Sequence, residues 1–164
     1  MQTTPKQFQL LHSSYEDMFQ WQSSELKDFL PNIYQDLANY VDQLPGNDTN
    51  PAYPFAGFVL NLNVSTRLHR DRHDKDICLI VFVSECTGGA LILYELGLVL
   101  DLDNGNGITF QSSKIMHCNM HFEGLRASFV FYTDRASDAW MVGQKGKGSV
   151  PNNGWANNIY FRKS

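Results

Sequence analysis

The chain has 164 residues, of which 43% are hydrophobic and 13% aromatic, and a formal net charge of −4. This composition supports one packed core and excludes a disordered chain. The acidic balance excludes a general nucleic-acid coat, which needs a basic surface, and leaves room for one local groove that meets a phosphate backbone.

The residues up to 45 read as helices. Ser13 and Glu16 have capping-box spacing, which starts a helix ending near Gln22. Ser23 or Ser24 caps a second short helix, and Pro31 suits the first turn of a third. In that third helix Ile33, Leu37, Val41 and Leu44 recur at helical spacing, giving one apolar face that suits backing a sheet. Residues 45–54 are rich in Pro, Gly and Asn and read as a loop.

From Phe55 the pattern is that of strands. Over Phe58–Val64, Phe58, Leu60, Leu62 and Val64 fall on one face, and Val59, Asn61 and Asn63 on the other. Ile77–Val83 is apolar on both faces, as in a strand covered on both sides. Gly88-Gly89 turns the chain, and strands follow at Ala90–Tyr94 and Leu98–Leu102. Residues 103–107 form a tight turn that needs positive φ. Ile108–Phe110, Lys114–Asn119 and Arg126–Thr133 complete the set. Helices followed by short strands make the class α+β, with a mainly antiparallel barrel or sandwich. The expected organisation is one domain over 1–164: helical support over 10–45, a β core over 55–140, and a loose basic segment over 141–164 with Lys145, Lys147, Arg162 and Lys163.

Cys78, Cys86 and Cys118 are odd in number and form no CxxC, so they read as reduced thiols. The N-terminus lacks a basic-then-apolar signal and no apolar run reaches membrane-span length. The expectation is an intracellular protein with no membrane partner, nuclear if its substrate is DNA.

The chemistry concentrates in Thr66–Asp71. In an extended segment His69 and Asp71, two apart, point to the same face. An imidazole and a carboxylate there are two thirds of the facial triad that holds non-haem Fe(II) and leaves positions open. His117, at the end of a later strand, can return as the third ligand. Arg126 and Ser128 share one face of an otherwise apolar strand. An arginine there needs an anionic partner, either an internal Asp or Glu or a dicarboxylate co-substrate gripped by two parallel hydrogen bonds.

The order His69-x-Asp71, Gly88-Gly89-Ala90-Leu91, His117, Arg126-x-Ser128 resembles the Fe(II)/2-oxoglutarate dioxygenase superfamily over roughly residues 55–140. The resemblance implies a double-stranded β-helix (jelly-roll or cupin-like) core backed by the N-terminal helices. It implies Fe(II) on His69, Asp71 and His117, O2 as oxidant, and 2-oxoglutarate held by Arg126 with Ser128 and Asn61 assisting. The run His69-Arg70-Asp71-Arg72-His73-Asp74, with Leu93-Tyr94-Glu95-x-Gly97-Leu98 and Tyr132-Thr133-Asp134-Arg135, is similar to the TET/JBP branch, especially its fungal members. That branch oxidises 5-methylpyrimidines in nucleic acid. The likeness gives Asp74 the position that reads a flipped base, where a carboxylate can accept from the exocyclic amine of cytosine. Tyr132 and Asp134 stand on the strand where some members place a base-contacting histidine.

Around this motif the readings stay open. His73 either touches substrate or is a solvated loop histidine. Arg67, Arg70 and Arg72 either hold phosphates or form a solvated loop offset by Asp71, Asp74 and Asp76. Trp140 and Trp155 either stack on a base or pack, and His12 and His121 read as surface residues. Three functions fit: a nucleic-acid base oxygenase, a protein or small-molecule hydroxylase with the same cofactors, and a binding module that keeps the fold without turnover.

Overall fold

The computed structural model describes residues 5–144. Trp155 and the basic residues Lys145, Lys147, Arg162 and Lys163 lie outside the described residues. The chain divides into two compact units, one drawn from its two ends (up to Pro54 and from Ser137 onward) and one spanning Phe55–Ala136. No helix among the described residues is long and apolar enough to cross a membrane.

The first unit is helical, with α1 (Pro5–Ser14), α2 (Glu16–Phe29), α3 (Pro31–Val41) and α4 (Ala136–Gln144). Two boundaries differ from the sequence expectation. Ser13 lies inside α1, where its hydroxyl donates to the Leu10 carbonyl and caps nothing. Ser23 and Ser24 lie inside α2, because Phe19, Gln22 and Leu26 make one buried stripe through that stretch. Burial of such a stripe outweighs the small helix penalty of serine. The expected break before Pro31 is present. Leu30 leaves helical geometry (φ −134°, ψ 57°), as the residue before a proline is driven to do. Helix α4 was not anticipated from the sequence; Asp134 Oδ1 accepts the Ala136 N–H at 2.7 Å and starts it.

The second unit carries β1 (Gly57–Leu62), β2 (Cys78–Gly88), β3 (Leu91–Leu93), β4 (Leu98–Leu100), β5 (Gly107–Phe110), β6 (His117–Asn119) and β7 (Phe122–Tyr132). They form two antiparallel sheets, β1-β7-β2-β5 and β4-β3-β6, so the class is α+β with antiparallel pairing. β1 ends earlier than the alternation predicts. Asn63 turns to φ 52°, a conformation asparagine tolerates, and its side-chain oxygen accepts the Arg126 N–H at 2.8 Å.

Strand register sorts residues by face. Arg126, Ser128, Val130 and Tyr132 of β7 share one face with Asn61 of β1 and Cys78, Ile80, Phe82 and Ser84 of β2. On this inner face Cys78, Ile80, Phe82 and Phe110 pack with Leu91 and Leu93 of the second sheet. Each such side chain, fully buried, contributes about 1.5–3 kcal/mol. All three cysteines are free; burial pushes the Cys78 thiol up to about 12, so it stays protonated.

Candidate metal centre

Two ligand-bearing segments meet edge to edge. His117 is the first residue of β6, paired with Leu93 of β3, and is 5% exposed. His69 pairs with His117 in a single antiparallel bridge: the His69 N–H donates to the His117 carbonyl at 3.0 Å, and the His69 carbonyl accepts the His117 N–H at 2.9 Å. The loop is also tied at Thr66, whose N–H and hydroxyl both donate to Asn119 Oδ1, and at Asp71, whose N–H donates to the Ser112 carbonyl.

His69 and Asp71 share a side, as their spacing requires, with His69 Nε2 3.5 Å from Asp71 Oδ1. His117 Nε2 lies 3.4 Å from Asp71 Oδ2. One ligand atom from each of the three residues falls within 4.8 Å of the others. Each histidine donates its Nδ1 hydrogen to a carbonyl, His69 to Arg67 at 2.7 Å and His117 to Ile115 at 3.0 Å. This leaves both Nε2 atoms directed at the carboxylate, the orientation a metal-ligating imidazole takes. Burial lowers the His117 pKa, but the Asp71 carboxylate and the Ile115 carbonyl outweigh it and leave the ring above its ordinary value. A proton held between imidazole and carboxylate is what a cation displaces. Two imidazoles and one carboxylate are a donor set that fits Fe(II).

Arg126 is 8% exposed, and its guanidinium lies over Phe82 at 4.9 Å and Phe122 at 5.5 Å. Among the described residues no carboxylate pairs with it, so the internal Asp or Glu partner left open by the sequence is not found. Burial holds its pKa below the ordinary arginine value, and nearby Cys86 opposes that. Gly89 (φ 83°) makes room for it, since a Cβ there would stand 3.3 Å from Arg126 Nε. Ser128 is buried and its Oγ lies 3.5 Å from Asn61 Nδ2, the cross-strand neighbour.

A pocket of about 390 Å³ opens beside Asp71, lined by Arg70, Asp71, Arg72, His73, Asp74, Tyr132 and Asp134. Asp74 is 7% exposed and accepts from the Ser112 hydroxyl at 2.6 Å. Burial is the largest cause raising its pKa to about 6, with Ser112 opposing it. Burial also raises Tyr132, aided by Asp134 and Asp74. His73 is exposed, and Arg70 is held by Glu95. His121 is exposed, His12 is half-buried against Phe19, and Trp140 is half-buried in α4.

Sequence reasoning gave no role to Ser112, to the Thr66–Asn119 clasp or to Phe82 and Phe122 flanking Arg126. Glu95 and Asp134 were visible only as texture around the motifs. A loop serine and an asparagine at the end of a short strand carry no local signal of a partner 38 or 53 residues away.

The fold and site define an α+β protein with two antiparallel sheets and a His/Asp/His group able to hold a metal ion. No protein-family model and no curated protein matches the sequence. Solved structures do match, among them NgTET1 in complex with 5mC DNA, with a TM-score of 0.51 and 16% sequence identity. The match covers 66% of this chain and 49% of that one, so this chain spans about half its neighbour's length. The likeness is one of fold.

Proposed function

We propose that the chain is an Fe(II)/2-oxoglutarate-dependent dioxygenase, built on a double-stranded β-helix, that oxidises a 5-methylpyrimidine base of nucleic acid. The observation that carries this reading is the convergence of His69, Asp71 and His117 on one point, in a unit that also buries a guanidinium with no carboxylate partner among the described residues. The fold likeness to NgTET1, a protein captured with 5mC DNA, supports the same branch.

His69 and His117 present Nε2, and Asp71 a carboxylate oxygen, to Fe(II). Fe(II) held there would let O2 convert 2-oxoglutarate to succinate and CO2 with one oxygen atom and hydroxylate a substrate C–H bond with the other. Arg126 binds the distal carboxylate of 2-oxoglutarate through paired hydrogen bonds, with Ser128 and Asn61 beside it. Phe82 and Phe122 keep water from that pair, which strengthens it. A flipped base enters the pocket beside Asp71, where Asp74, Tyr132 and His73 contact it and Arg72 lies toward the backbone phosphates, while Arg70 at the rim is held by Glu95. Asp74, ionised near neutral pH, accepts from an exocyclic amine.

Anaerobic Fe(II) with 2-oxoglutarate should give a visible charge-transfer band in the full chain, absent in His117→Ala. Methylated DNA should then raise succinate release and yield an oxidised base, while unmethylated DNA does neither. Stimulation by a peptide or metabolite alone would move the substrate to that class, and no band would end the oxygenase reading.

A further inference from the structure

Glu95 lies outside the metal cluster yet touches both segments that supply it. It sits in the 3-10 turn Tyr94–Leu96 after β3, a turn closed by Gly97 at φ 63° and tied to the residue just before β6 by the Tyr94 N–H donating to the Met116 carbonyl at 2.9 Å. One Glu95 oxygen accepts from the Arg70 guanidinium, the residue between His69 and Asp71. The other accepts the Met116 N–H at 2.6 Å, one residue before His117. A single carboxylate thus spans from the loop carrying two ligands to the strand carrying the third. Desolvation pushes the Glu95 pKa up, but the hydrogen bonds from Arg70, from its own backbone and from Met116 outweigh it and hold the carboxyl below its ordinary value.

Arg70 has geometric leverage. His69 and Asp71 approach within 3.5 Å, so they leave the backbone on one side, and the residue between them leaves on the other. Fixing Arg70 fixes the roll of the segment about its own axis, and the roll sets where both ligands point. The His69–His117 bridge and the bond from the Asp71 N–H to the Ser112 carbonyl hold the backbone of the segment, and the Arg70–Glu95 contact adds a side-chain hold against its roll. We propose that Glu95 is a positioning residue of the metal centre, a clasp that orients His69 and Asp71 through Arg70 and registers them against His117 through the Met116 amide. The inference rests on the metal-binding reading above.

Co(II), titrated into the full chain and followed by its visible spectrum and by calorimetry, tests this without turnover. Glu95→Ala should weaken Co(II) binding by about tenfold or more and alter the spectrum, as loss of outer-shell partners does elsewhere. Glu95→Gln keeps an acceptor for Met116 but gives up the charge facing Arg70, and should fall between. Arg70→Ala should weaken binding as well, and Arg70→Ala/Glu95→Ala should lose no more than Glu95→Ala alone. Far-UV circular dichroism identifies the folded variants; if Glu95→Ala does not fold, Glu95→Gln and Arg70→Ala carry the same criteria. Co(II) affinity within about twofold of wild type in the folded variants, or additive losses, would overturn the role of Glu95. Absence of Co(II) binding by the wild-type chain would instead sink the metal centre and the clasp with it.

Discussion

The two faces of β7 put different chemistry on one stretch of backbone. On one face Phe129 and Phe131, 2% and 0% exposed, lie beside Phe58 and Phe55 with ring centroids 6.1–6.3 Å apart. On the other, Arg126 and Ser128 are almost as buried, at 8% and 5%, but one is charged and the other polar. Equal burial with opposite chemistry separates the roles. The aromatic face returns free energy to the fold, while the inner face carries a desolvated charge that costs stability unless a ligand pairs it. Beyond β7 the inner side continues into the Asp74–Asp134 bridge at the pocket.

Four substitutions would sharpen or break this contrast. Phe131→Ala should have the largest effect, about 3–5 kcal/mol of stability by denaturant titration, while the folded protein keeps its Co(II) affinity. Loss of metal binding with the fold intact would mean the faces are not separate. Arg126→Gln should weaken 2-oxoglutarate binding to the Co(II)-loaded protein by about 2–5 kcal/mol in calorimetry. Its thermal midpoint should not fall, because an unpaired buried charge is removed; a marked fall would place Arg126 with the stabilising residues.

Asp74 tests the same contrast through pH. Its folded pKa, about 6, lies above the ordinary 3.8, so the native state binds its proton more tightly than the unfolded chain does. The stability this contributes is complete below the unfolded value and is lost as pH rises through about 6. Metal-free Asp74→Asn should therefore lose this component of the decline, a difference on the order of 1–3 kcal/mol between urea titrations near pH 4 and pH 7. An unchanged slope would remove Asp74 from the costly side. Ser128→Ala should be smallest, below about 1 kcal/mol, since its contact with Asn61 is a long 3.5 Å.

The strands were legible because their apolar runs and glycine turns are local. The apolar run Ile77–Val83 implies a doubly covered strand; Cys78–Phe82 is buried without interruption, whereas Val83 is exposed. The helix boundaries at Ser13 and Ser23 were misplaced because a capping signal is worth only about 1 kcal/mol and tertiary burial overrides it. In the site, the spacing of His69 and Asp71 already fixed their shared side, whereas the pairing of Arg70 with Glu95, 25 residues away, had no counterpart in either segment.

The sequence by itself determined the α+β class, the antiparallel strands and the residue types of a possible metal site, because periodicity and two-residue spacing act within a few ångströms of backbone. Only the tertiary structure decided that His117 meets His69 across a one-residue bridge, that Arg126 is buried without a carboxylate partner among the described residues, and that Ser112 and Glu95 hold the surrounding groups. Those contacts join residues distant in the chain, and their geometry is set by which strand edges meet.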